Sequence, residues 1–179
     1  MHHRKFTVHK SPIHGQGVFA TEFIAKDEVV LRVRGPIHQL EDDESIKPEY
    51  ENWVGTDFGL WTQPLDETLF LNHSCYPNTV LSGDMSIVAL EDVEAGDEIT
   101  FDYSLSERVV KWHMHCLCGQ ACCRQLISSV QSLPDYVIQR YLPDIPRFAL
   151  LSYLQYRERV RDTIGPLKPK ARSIRDELC

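Results

Sequence analysis

Across 179 residues no window is apolar for long enough to span a membrane, and Met1-His2-His3-Arg4-Lys5 runs into a strand-like segment without the apolar core of a secretory signal. The expectation is a protein of an intracellular, reducing compartment, with the choice between nucleus and cytoplasm open. A basic surplus is missing as well. Lys and Arg number 19 against 26 Asp and Glu, a formal charge of -7, which argues against direct nucleic-acid binding through a general phosphate-neutralising surface and suits a basic partner better. Gly15-Gln16-Gly17 has no third glycine three positions later, so the dinucleotide fingerprint is absent. Helical periodicity is scarce over the first hundred residues. What remains is ordinary globular composition, 42% apolar and 25% charged, enough for one domain with a small C-terminal appendage.

That first part reads as short strands punctuated by turns: Phe6–His9, Gly17–Ala20, Glu28–Val33 and Thr68–Leu71. Thr79–Ser82 and Met85–Leu90 flank Gly83-Asp84, the two-residue spacing of a hairpin, with Gly83 expected to supply the positive φ. The stretches 23–30 and 93–100 echo one another, each a turn ending in Asp-Glu before a β-branched strand. Residues 37–66 read as a variable insert with a short helix, partly acidic at Glu41–Glu44 and carrying Tyr50, Trp53, Phe58 and Trp61. Beyond Cys123 the pattern turns helical. Pro134 and Pro146 each open a helix, and Ala149, Tyr153, Tyr156 and Val160 fall on one face of the second.

Five of the six cysteines stand at 75, 116, 118, 122 and 123, a crowding that favours metal ligation in an intracellular protein. Cys116, Cys118 and Cys123 supply three soft ligands on one short loop, and a tetrahedral zinc needs a fourth, for which Cys75 is the natural candidate. Cys122 could replace Cys123 at nearly the same spacing. His113 and His115 lie close enough to be considered too. The run Phe70-Leu71-Asn72-His73-Ser74-Cys75-Tyr76-Pro77-Asn78 packs polar side chains, a thiol and a turn into one strand end, a composition suited to contacts more than to core.

Taken together, these segments resemble a known family. Asn72–Asn78 resembles the NHSCxPN motif of SET-domain protein-lysine methyltransferases, and Gly96–Tyr103 resembles their GEELTxDY strand. Gly15-Gln16-Gly17 with Val18-Phe19 resembles the N-terminal GxG-hydrophobic turn, and Cys116-x-Cys118 through Cys123-Arg124 resembles the post-SET motif; no cysteine-rich pre-SET region precedes them. The resemblance covers roughly residues 5 to 126 in the family's order. It implies a mainly β fold, the β-clip in which the segment bearing Asn72 is crossed by the Tyr103-bearing strand as a pseudoknot. The domains would be a SET domain over 5–107 with the insert at 37–66, a post-SET zinc loop over 112–127, a helical extension over 133–162 and a flexible basic tail over 163–179.

By the same resemblance, Gly15, Gln16, Gly17, Asn72, His73 and Tyr103 would hold S-adenosylmethionine, Tyr103 would be the catalytic residue, and Cys75, Cys116, Cys118 and Cys123 would bind structural zinc. Phe101 would set how many methyl groups are added, leaving room for di- or trimethylation. Leu69 stands where many relatives carry a basic residue, so one cofactor contact is missing or supplied elsewhere. The implied reaction moves a methyl group onto a lysine side-chain amine of a histone or another basic protein; oligomeric state is undetermined. The competing readings are a catalytically silent SET-like module that binds protein partners, and a zinc hydrolase built on His113 and His115.

Overall fold

The computed structural model describes residues 4–41, 48–50, 52–109 and 111–164. Its centre is a four-stranded sheet assembled from three distant parts of the chain. Strands β1 (Phe6–Lys10) and β2 (Gln16–Ala20) form an antiparallel hairpin, with His9 opposite Gly17. Strand β10 (Glu98–Phe101) adds to β2 antiparallel, and on its other side lies β7 (Asn72–His73), parallel, with Thr100 opposite Asn72 and Phe101 opposite His73. Val18, Ala20, Ile99 and Phe101 are buried at the heart of the main core. A strand so buried on both faces reads as a continuous apolar run, which is why Gly17–Ala20 carries no alternation.

Two smaller sheets flank this one. β3 (Val29–Arg32), β9 (Ser86–Ala89) and β8 (Thr79–Leu81) form one in the order β3-β9-β8; β4 (Ile37–Gln39), β6 (Leu60–Thr62) and β5 (Val54–Asp57) form the other in the order β4-β6-β5. The two echoing stretches meet through a bridge between Ile24 and Val93, both fully buried. A short hairpin, β11 (His113–His115) with β12 (Leu126–Ser128), follows, then helices α1 (Asp135–Tyr141) and α2 (Arg147–Ile164). No helix among the described residues is long and apolar enough to cross a membrane.

Four local expectations are corrected. The β8–β9 hairpin turns over Ser82–Met85, not over two residues. The Met85 amide donates to the Ser82 carbonyl at 2.9 Å, and it is Met85, at φ 65°, that occupies the left-handed region, as in a type I turn closed by a bulge. Glu67–Phe70 is a 3-10 turn where a strand was expected. Asp66 caps it, accepting from both the amide and the hydroxyl of Thr68, a local bond that outcompetes strand pairing.

The insert is more regular than its composition suggests, since Val54 and Trp61 are buried and draw it into the β4-β6-β5 sheet; its helix is a 3-10 turn over Pro48–Tyr50. Asp42, Asp43 and Glu44 lie outside the described residues, as do residues 165–179 of the tail. On α2 the covered face is Phe148, Ala149, Ser152 and Tyr153. Tyr156 is exposed, because the layer beneath the helix ends after its second turn.

Candidate active site and metal centre

The parallel pair of β7 and β10 places Asn72, His73, Phe101 and Tyr103 side by side. Tyr103 opens a 3-10 turn over Tyr103–Ser106, capped by Asp102, whose carboxylate accepts from the Ser104 amide at 3.1 Å. The phenol reaches back across the sheet and donates to the Leu71 carbonyl at 2.6 Å. Its ring lies 5.0 Å from that of Phe101 and 5.4 Å, edge-on, from that of His73. Burial, and secondarily the charge of Glu98, push the phenol well above its ordinary range, so it stays protonated at neutral pH.

Tyr103 faces a cleft of about 110 Å³ lined by aromatic groups, Tyr50, Trp53, Trp61, Phe101 and Trp112 among them. Leu69, the departure noted in sequence, also lines this cleft and is exposed. Ordered aromatic faces around a narrow opening suit an aliphatic chain ending in a cation or amine.

Behind the cleft, Asn72 is buried and its side-chain nitrogen lies 3.2 Å from the His14 carbonyl, 2.9 Å from that of Gln16 and 2.7 Å from Glu98 Oε1. An amide has two hydrogens, so three acceptors share them and the donor end is fully used in bracing the Gly15-Gln16-Gly17 turn. What Asn72 can still offer a ligand is its oxygen. Glu98 is in turn held by the Ser11 hydroxyl at 2.8 and 2.9 Å. Gly15, at φ 50°, opens onto free space: a Cβ there would meet nothing within 4 Å, leaving the backbone accessible to a ligand.

His73 is committed at both nitrogens. Nδ1 accepts from the Tyr103 amide at 3.2 Å, and because an amide can only donate, the ring proton sits on Nε2, 3.3 Å from Cys75 Sγ. Burial lowers its pKa to about 4, the pull of Asp102 being smaller, so the imidazole is neutral at physiological pH. Its 3.5 Å approach to the Asp102 carboxylate is therefore a contact of neighbours, not an ion pair.

The four thiols of Cys75, Cys116, Cys118 and Cys123 converge, all sulfurs lying within 4.8 Å of one another. Cys75 and Cys116 are 3.6 Å apart, close to the ~3.8 Å edge of a tetrahedron with Zn–S bonds of about 2.3 Å. Peptide amides point at the sulfurs, Arg124 N at Cys75 (3.2 Å), Cys118 N at Cys116 (3.4 Å) and Gln125 N at Cys123 (3.3 Å). Burial raises Cys75 and Cys116, so a cation is what would let these thiols ionise together. Donor set, spacing and amide support fit a closed structural zinc site. Cys122 stands outside the cluster, which decides the ambiguity of spacing in favour of Cys123. His113 and His115 are exposed on β11 and do not join it.

Three groups that the sequence reading did not single out complete the arrangement. Asp102, wholly buried, receives the Arg124 guanidinium at 2.7 Å and the Tyr141 hydroxyl at 2.9 Å. Burial alone would raise its carboxyl; the Arg124 charge overrides that and holds it below the usual range. Both Asp102 and Arg124 stood inside quoted motifs, but nothing in the spacing joined them. Tyr141 left no sequence signal beyond a helical position.

Residues 15–104 match a family model described as the SET domain. Similar proteins include the histone-lysine N-methyltransferase set-2 of Caenorhabditis elegans, 32% identical over 133 residues, 64% of this chain and 9% of that protein. A histone-lysine N-methyltransferase of Schizosaccharomyces pombe described as H3 lysine-4 specific is 32% identical over 143 residues, 68% of this chain and 15% of that protein. Human histone-lysine N-methyltransferase SETD1B is 33% identical over 138 residues, 68% of this chain and 7% of that protein. The chain thus spans only 7% to 15% of the length of these relatives.

Proposed function

The chain belongs to the SET-domain family, and from that membership we propose that it transfers methyl groups from S-adenosylmethionine to the side-chain amine of a lysine in a basic protein segment, with histone H3 around its lysine 4 as the first substrate to try. The observation that carries this reading is the Tyr103 hydroxyl, anchored on the Leu71 carbonyl and facing an aromatic cleft, while the residue after Leu71, Asn72, braces the Gly15–Gly17 turn. The methyl donor supplies a sulfonium-bound methyl group. The residues of the chain supply position, dryness and polarity.

Because the Tyr103 O–H is spent on Leu71, its oxygen presents lone pairs to the cleft and accepts from an amine N–H. Its raised pKa keeps it from acting as a base. The lysine must arrive neutral, which in a dry aromatic cleft means lowering its pKa by about three units, roughly 4 kcal/mol. Holding donor and acceptor in line supplies several kcal/mol, up to about 7–11 for ideal alignment. Gly15, Gln16 and Gly17 offer backbone to the donor, with Asn72 bracing their turn and offering its oxygen. Cys75, Cys116, Cys118 and Cys123 hold zinc, which ties the β11–β12 loop to the strand end at Cys75.

Incubating the full chain with radiolabelled S-adenosylmethionine, a histone H3 peptide and fractionated host lysate tests this directly. Label on lysine, absent with Tyr103→Phe, is expected. A zinc-loaded chain that neither binds the donor nor labels any protein would leave the silent binding module standing instead.

A further inference from the structure

The segment that matches the family model ends at residue 104, yet the buried acid next to Tyr103 takes two of its hydrogen bonds from beyond it, the farther from Tyr141. Asp102 Oδ1 accepts from the Ser104 amide and from Arg124, while Oδ2 accepts from the hydroxyl of Tyr141, the last residue of α1. Tyr141 and Asp102 are both fully enclosed, with 1% and 0% exposure, so no solvent stands ready to replace that bond. The same helices also press on the turn from a second side: Leu105, fully buried, packs in one cluster with Tyr141, Ile145, Phe148 and Tyr153.

We propose that Tyr141, supplied by the C-terminal helical extension, is a positioning residue for the reaction: by donating to Asp102 it sets the orientation of the 3-10 turn that presents Tyr103. The inference rests on the methyltransferase reading for its kinetic consequence. Its physical basis is independent of it. A carboxylate bonded at both oxygens cannot rotate, and the turn it caps inherits that fixity. Losing the Oδ2 partner frees the carboxylate to pivot about the Arg124 contact and loosens the cap on Ser104. The Tyr103 oxygen then wanders from line, and a displacement of about 1 Å can cost up to ~10²-fold in rate.

The test compares Tyr141→Phe with Tyr153→Phe in the full zinc-loaded chain. Tyr153 lies in the same extension and donates to Asp135, joining α2 to α1 without touching Asp102. Tyr141→Phe is expected to lower kcat at least about tenfold with KM for donor and peptide unchanged, whereas Tyr153→Phe lowers the melting temperature and leaves kcat alone. Equal kcat in wild type and Tyr141→Phe, or a kcat loss that tracks melting temperature across both variants, overturns the inference.

A second arm needs neither activity nor a variant. In native-state hydrogen exchange of the wild-type chain, the Ser104 amide is expected to open together with the amides of α1. Independent opening of Ser104 overturns the coupling. A wild type that methylates nothing overturns the methyltransferase reading instead, and the exchange arm still decides whether the turn is coupled to the helical extension.

Discussion

The hydroxyl of Tyr103 donates to the carbonyl of Leu71 at 2.6 Å, joining the second residue after β10 to the residue before β7. The bond fixes more than direction. It consumes the hydrogen and turns the phenol into an acceptor toward the aromatic cleft, so the group best placed to meet a substrate amine is one that receives an N–H and does not abstract a proton.

Tyr103→Phe keeps the ring contacts with Phe101 and His73 and removes only the oxygen. Methyl transfer is expected to fall by about 10²–10³-fold, as for loss of a preorganised polar group, while stability changes by about 1 kcal/mol. Steady-state kinetics and urea denaturation of the same preparation check both.

Removing metal should unfold the loop between β11 and β12 first. Zinc held by Cys75, Cys116, Cys118 and Cys123 would be worth on the order of 10 kcal/mol in apparent folding energy, so a strong chelator should sharply lower the melting temperature and abolish donor binding. Cys118→Ser should lose zinc by elemental analysis; Cys122→Ser should retain it. Cobalt substitution should show the charge-transfer bands of full sulfur ligation, not the spectrum of an open mixed site.

Acid should weaken the fold through His73. Its folded pKa, about 4, lies below the ~6.5 of an unfolded histidine, so the neutral ring is favoured by folding. The contribution is complete above about pH 6.5 and is lost as pH falls toward 4, where the unfolded chain binds the extra proton; its ceiling is about 3 kcal/mol. Urea midpoints at pH 7.5, 6 and 5, against a His73→Asn chain, read this out: the variant should be less stable at pH 7.5 and show a flatter acid slope.

Gly55→Ala should be costly for a reason invisible in sequence. A Cβ at that position would stand 2.2 Å from the Ser106 carbonyl oxygen, backbone against backbone, where β5 passes the Tyr103-bearing turn. Overpacking of this kind costs about 1–3 kcal/mol. An alanine variant with an unshifted urea midpoint would show that the two segments separate freely.

Phe101 is buried 5.0 Å from the Tyr103 ring and lines the cleft. A hydroxyl added there would bind the amine and occupy the space of an extra methyl group. Mass spectra of the product are therefore expected to show di- or trimethyl-lysine for the wild type and predominantly monomethyl-lysine for Phe101→Tyr. Monomethyl product from both chains would remove Phe101 from any role in product choice.

The site was readable in sequence wherever its chemistry is carried by residue type at fixed spacing. Asn72, His73 and Cys75 sit on one strand end, Phe101 and Tyr103 on another, and three cysteines on one loop; local spacing keeps each group together whatever the rest of the fold does. Local competition was harder to read. Asp66 turned an expected strand into a 3-10 turn by capping it, and Met85 took the left-handed position assigned to Gly83. Exposure of Tyr156 on α2 depends on where the layer beneath stops, which no periodicity records.

The sequence alone determined the donor inventory: which thiols could share a metal, which tyrosine and which polar pair belong together, and that a mainly β domain precedes a helical end. Tertiary structure decided how that inventory is spent. It drew Asn72's donors onto the Gly15–Gly17 turn, placed the His73 proton on the side of Cys75, chose Cys123 over Cys122, and sealed Asp102 with Arg124 and Tyr141. Those choices depend on contacts between residues up to 58 positions apart, as with Asn72 and His14. A hydrogen bond has no sequence period, so only the packed chain could settle which partner each donor found.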